Sequence, residues 1–185
     1  SLKQKVHELT AADAQQVIDT RRHLHAHPEL SFQEYETAKF VADKLRAIGI
    51  EPTEGVADTG LVALIKGKNP EKKVVALRAD MDALPIEEAN EVPYKSTRPG
   101  IMHACGHDVH TASLLGTAQV LSQLRDSFEG TVKLVFQPGE ERVPGGASLM
   151  IKAGALESPK PNHMLGQHVL PHLPAGKVGF REGMY

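Results

Sequence analysis

The sequence predicts an α/β fold, with helices layered on a mixed β-sheet. Three observations predict it. Amphipathic helical stripes alternate with short apolar runs, and glycine- and proline-bearing turn signals separate them. Side chains of the kind that bind metals sit just past the ends of several runs, the edge where open α/β sheets gather ligands.

Taken in order, Thr10 followed by Asp13 resembles a capping box, and Val17, Ile18, Arg21 and Leu24 fall on one face of a first helix. His27-Pro28 breaks that pattern. Ser31 followed by Glu34 predicts the start of a second helix, with a stripe of Tyr35, Ala38, Val41, Leu45 and Ile48 ended by Gly49. Strands are expected at 61–66 and 74–78, joined through the turn signal Gly67-Lys68-Asn69-Pro70. A loop rich in proline and acid runs from Asp80 to Gly100. Ala112, Leu115, Ala118, Leu121 and Leu124 share one side of a helix over 108–125. A strand at 131–136, a helix at 147–156 and strands at 164–169 and 177–180 complete the series. The long strand-to-strand stretch at 61–78 is what predicts a mixed sheet.

The 185 residues suit one domain, or one domain and part of another. Apolar content of 41% and charged content of 24% are ordinary for a soluble globular chain. A net charge of −2 offers no electrostatic case for nucleic acid or an anionic membrane. No apolar run approaches the ~20 residues of a membrane span, and Ser1 to Val6 contains no signal-type apolar region. The single cysteine agrees with a reducing compartment, so the cytoplasm is the expected location.

The chemistry concentrates in Met102-His103-Ala104-Cys105-Gly106-His107-Asp108 and Phe136-Gln137-Pro138-Gly139-Glu140-Glu141. Thiolate, imidazole and carboxylate are the side chains that bind zinc-like cations. A lone C-x-H is more often a packed thiol beside a histidine at a helix start. Glu140-Glu141 and His168, arriving on other elements of the same sheet, turn the reading towards a metal site. Adjacent residues at a strand end point in different directions, so one carboxylate can ligate while its neighbour carries a proton. Glu141 is assigned as ligand and Glu140 as base, although composition alone allows the reverse. Asp82 is read as holding a ligand histidine from behind, and Asp80 stays open between a ligand and an acidic loop residue. His23, His25 and His27 cannot converge on a helix, where i and i+2 face apart. His103, His110, His163 and His172 are read as structural or hydrogen-bonding residues. A Cys-His nucleophile would leave the paired glutamates without a role.

Four ordered motifs carry a family resemblance. They are Arg22-His23-Leu24-His25-Ala26-His27-Pro28-Glu29-Leu30, Leu77-Arg78-Ala79-Asp80-Met81-Asp82-Ala83-Leu84-Pro85, the Met102 to Asp108 segment, and Gln137-Pro138-Gly139-Glu140-Glu141. The chain resembles the hippurate hydrolase and N-acyl-amino-acid amidohydrolase family, a branch of the aminoacylase and glutamate carboxypeptidase superfamily. That resemblance implies a three-layer αβα sandwich of the zinc-exopeptidase type with a mostly parallel, mixed sheet. It implies two divalent metal ions (zinc, manganese, cobalt or nickel) held by Cys105, His107, Glu141 and His168, with Glu140 as general base and Asp82 as the orienting aspartate.

The reaction it implies is hydrolysis of an N-acyl amino acid or short peptide by an activated water. Family members are about twice as long, with a lid or dimerisation domain following the equivalent of Arg181-Glu182-Gly183. Residues 1–185 are therefore expected to be the N-terminal part of a catalytic domain, truncated before that lid, weakly active or inactive alone. In the full-length protein a homodimer through the lid is expected. The rival readings are an aminopeptidase or carboxypeptidase acting on short peptides, and a non-catalytic metal-binding module of the same fold.

Overall fold

The computed structural model describes residues 1–180, 182 and 183. The chain end, where the sequence led to the expectation of a break before a lid, includes three positions outside the described residues. In chain order the elements are α1 (Leu2–Ala26), α2 (Tyr35–Ala47), β1 (Thr53–Val56), β2 (Gly60–Lys66), β3 (Val74–Asp80), α3 (His107–Gln123), β4 (Thr131–Gln137), α4 (Gly146–Lys152) and β5 (His163–Gly166).

The strands form one sheet in the order β1-β2-β4-β3-β5. β3 pairs in parallel with both β4 and β5, while β2 runs antiparallel to β4 and to β1. The sheet is thus mixed, as expected. β2 and β3, though joined through the 67–70 turn, are separated by β4. The helix between β3 and β4 accounts for this: α3 is the crossover that returns the chain to lie parallel beside β3.

Period-two alternation places the helices on two sides. On β4, Leu134 and Phe136 join Val41, Leu45, Leu114 and Ala118 in the main core under α2 and α3. Val135, pointing the other way, packs with Met150 of α4 and Ala155. Helix, sheet and helix therefore make three layers. Each fully buried aliphatic side chain in them contributes roughly 1.5–3 kcal/mol relative to exposure.

Several elements differ from expectation. α1 starts after Ser1, whose hydroxyl accepts the Gln4 backbone N–H, and Thr10 lies inside it with its hydroxyl donating to the Val6 carbonyl. The early helix formers Leu2, Lys3, Gln4 and Lys5 carry the helix back to that cap. Ser31 does not cap α2. The Glu29 carboxylate accepts from the N–H groups of Glu36 and Thr37 instead, and the Ser31 hydroxyl goes to Asp82. β1 had no sequence signal, being four largely exposed residues around Gly55. The helix expected at 147–156 stops at Lys152, before Gly154 in a left-handed conformation. The strand expected at 164–169 stops at Gly166, which frees Gln167 to Val169 to form a loop. No strand forms at 177–180, where Val178 and Phe180 are exposed and unpaired among the described residues.

Candidate metal centre

The carboxyl ends of the three mutually parallel strands deliver the chemistry to one place. β3 ends at Asp80 and leads to Asp82; β4 ends at Gln137 and leads through Pro138-Gly139 to Glu140 and Glu141; β5 ends at Gly166, two residues before His168. The N-terminus of α3 brings Cys105 and His107 to the same edge. Gly106 makes this turn with φ 88°, in the left-handed region, and a side chain there would run into the Val169 side chain.

Of the six residues singled out from the sequence, five place ligand-type atoms in two overlapping groups. Cys105, His107 and His168 form one, and His107, Glu140 and Glu141 the other, with atoms in each group lying within 4.8 Å of one another. The sixth, Asp82, stands behind His107: its Oδ1 lies 3.1 Å from His107 Nδ1. Its Oδ2 accepts the Ser31 hydroxyl at 2.6 Å and the Glu141 backbone N–H at 3.0 Å. Cys105 Sγ is 3.4 Å from His168 Nε2, and the His168 Nδ1–H donates to the Val169 carbonyl at 2.7 Å. The free nitrogen of His168 therefore faces the thiol.

The histidines set aside as structural divide. His25 is buried between Asp108 and Glu88, and His23 stacks on the Phe40 ring at 4.3 Å, so the H-x-H-x-H run does not converge. His103 is buried with neither ring nitrogen partnered among the described residues, and burial pushes its pKa down to about 4. His110 belongs to the site's surroundings. It is buried, and its Nδ1 lies 2.6 Å from Asp80 Oδ1. Set aside with the structural histidines, it nonetheless carries a signal that could have found it, its three-residue spacing from His107 on one helix. Arg78 and Ser31 had no comparable signal. Asp80 Oδ2 forms an ion pair with Arg78 at 2.7 Å but is buried without a hydrogen bond among the described residues, and Asp80, His107 and His110 make a third group of ligand-type atoms within 4.8 Å of one another.

The electrostatics suit a cation. Burial pushes the Cys105 thiol up to about 12, and the Glu141, Glu140 and Asp80 carboxylates add to that rise. Burial alone would lower the His107 imidazolium, but Asp82, Asp80 and Glu141 outweigh it and raise it. Burial opposes the charge on Asp82 too, yet hydrogen bonds from His107, Ser31 and the backbone of Glu141 and Glu140 bring it down to about 2. Among the described residues, His107 Nε2 is buried without a hydrogen-bond partner while Nδ1 is held by a carboxylate. That is the arrangement of a ligand histidine whose tautomer is fixed from behind. A sulfur, two imidazoles and a carboxylate around an unpartnered nitrogen fit a divalent metal ion.

Comparison with known proteins identifies the family of the chain. The sequence pattern of peptidase family M20/M25/M40 matches residues 76–183. An N-acyl-L-amino acid amidohydrolase from Geobacillus stearothermophilus is 46% identical over 181 residues, 98% of this chain and 48% of that protein. Thermostable carboxypeptidase 2 from Saccharolobus solfataricus is 47% identical over 169 residues, 90% of this chain and 42% of that protein. The crystal structure of YXEP from Bacillus subtilis, described as a dinuclear metal-binding peptidase of the M20 family, superposes with a TM-score of 0.87 at 45% identity, covering 94% of this chain and 47% of that one. The chain thus spans just under half the length of these relatives. With the pattern, the identities and the superposition in agreement, the chain belongs to peptidase family M20/M25/M40.

Proposed function

We propose that this chain is the metal-holding part of an amidohydrolase that cleaves the amide bond of N-acyl amino acids, the activity residing in a protein of the relatives' length. The observation that carries the reading is the meeting of Cys105, His107 and His168 with the Glu140-Glu141 pair at the ends of three parallel strands. The names of its relatives, an N-acyl-amino-acid amidohydrolase and a dinuclear metal-binding peptidase, support it.

Cys105, His107, Glu141 and His168 would hold two divalent ions, which when bound act as Lewis acids on the carbonyl oxygen and acidify water. Asp82 keeps the His107 ring in the tautomer that leaves Nε2 free, and through the Glu141 N–H fixes the start of the glutamate loop. Glu140 takes a proton from the attacking water and returns it to the departing amine nitrogen. Such acid-base work is worth roughly 10²–10⁴-fold in rate.

A carboxypeptidase acting on short peptides is the second reading. The Saccharolobus relative's name favours it, and the same residues would serve. A protein containing these residues at the relatives' full length, assayed on N-acetyl and N-benzoyl amino acids and on dipeptides, separates the two. Hydrolysis is expected to stop on chelation and in Glu140→Ala, with metal content retained in the variant. Activity that survives both treatments would overturn the metal mechanism.

A further inference from the structure

His110 lies three residues after His107 on α3, and both its ring nitrogens are engaged. Nε2 accepts the Val169 backbone N–H at 3.0 Å, so it carries no proton. The ring is therefore the neutral tautomer protonated on Nδ1, which donates to Asp80 Oδ1 at 2.6 Å. Asp80 is itself fixed. Arg78 meets its other oxygen at 2.7 Å while donating to Gln137 at 2.8 Å, and the Thr111 hydroxyl donates to its carbonyl at 2.8 Å. A chain of contacts runs from the end of β4, through β3 and α3, to the loop after β5. It ends on Val169.

Val169 is the residue whose carbonyl receives the His168 Nδ1–H. His110 thus holds Val169 by its N–H, and Val169 holds the His168 ring by its C=O. On the other flank, Gln167 donates to the Ser113 hydroxyl of α3 at 2.8 Å. The loop needs such anchors. His168 is exposed, and β5, which leads into it, is a four-residue edge strand exposed along its length. A loop with so little buried surface orders a side chain only where hydrogen bonds remove its freedom.

We propose that His110 is a positioning residue: through Val169 it sets the loop so that His168 Nε2 faces Cys105 Sγ. This rests on the metal-centre reading given above. Substituting such a supporting residue costs typically 10–100-fold in metal affinity.

The test is cobalt(II) titration of the 185-residue chain, followed by its thiolate-to-cobalt charge-transfer band. His110→Leu removes the acceptor, and its cobalt affinity is expected to fall by about 10–100-fold. His110→Gln, whose amide oxygen can reach the Nε2 position, is expected to recover most of that loss. Nitrogen-15 spectra of the unaltered chain, expected to show His110 protonated on Nδ1, decide the matter even if His110→Leu does not fold. A proton on Nε2, wild-type affinity in His110→Leu, or equal weakness in the two folded variants would overturn the proposal while leaving the metal centre standing. No charge-transfer band in the unaltered chain would remove both.

Discussion

Asp82 Oδ1 stands 3.1 Å from His107 Nδ1, and both groups are buried. A buried carboxylate drawn down to about 2 stays charged through the working pH range and keeps the imidazole proton on its side of the ring. The opposite nitrogen is left bare for a cation. Asp82→Asn is nearly isosteric but loses that charge. Its metal affinity, measured by calorimetric titration, is expected to drop by about 10–100-fold with little change in secondary structure. Unchanged affinity would show that His107 does not depend on Asp82.

Metal binding is expected to release protons. A thiol raised to about 12 is protonated at neutral pH and must lose its proton on ligation, so Cys105 alone contributes roughly one proton per chain. Binding enthalpies measured in buffers of different ionisation enthalpy give the count. Cys105→Ser is expected to lower it, and an identical count in the variant would place the thiol outside the coordination.

Gly106 tests the turn between the two α3 ligands. An alanine there keeps the left-handed backbone at a cost of about 1–2 kcal/mol and also meets the Val169 side chain. Thermal melts of Gly106→Ala are expected to show a lower midpoint, together with weaker metal binding because the 168–169 loop is pushed away. A variant as stable and as tightly metal-bound as the parent would contradict the packing described.

Away from the metal centre, His25 ties α1 to α3 and to the 80–100 loop through Asp108 at 2.7 Å and Glu88 at 3.0 Å. The Asp108 hydrogen bond, more than the one from Glu88, raises its imidazolium above the usual 6.5, against the opposing effect of burial. Because the charged form is favoured in the fold, this stabilisation is complete below pH 6.5 and is lost as pH rises through the raised folded value. The urea midpoint is therefore expected to fall as pH rises above 6.5, and less steeply in His25→Gln. Equal slopes would mean that His25 is not charged in the fold.

The parts of this molecule that were legible in the sequence are those set by local pattern. Leu134, Val135 and Phe136 alternate between two cores, as the apolar run at 131–136 implied, and the α2 stripe from Val41 to Leu45 packs into the main core. Cys105, His107, Glu141 and His168 stood out because thiol, imidazole and carboxylate, the side-chain types that bind zinc-like cations, fall at one helix start and just past two strand ends. What stayed hidden depends on distant partners. Ser31 reads as a helix cap until the fold places Asp82 51 residues away within reach of its hydroxyl. His110 reads as an ordinary helical histidine until β3 and the 168–169 loop bracket it. The run at 177–180 has strand composition, but with no strand beside it among the described residues it stays irregular.

The most direct test of the central claim is zinc K-edge absorption and anomalous diffraction on the metal-loaded chain. Zinc is expected to be bonded to Cys105 Sγ at about 2.3 Å and to imidazole nitrogens of His107 and His168 at about 2.0 Å. A spectrum without sulfur in the first coordination sphere, or anomalous peaks remote from these three side chains, would contradict it.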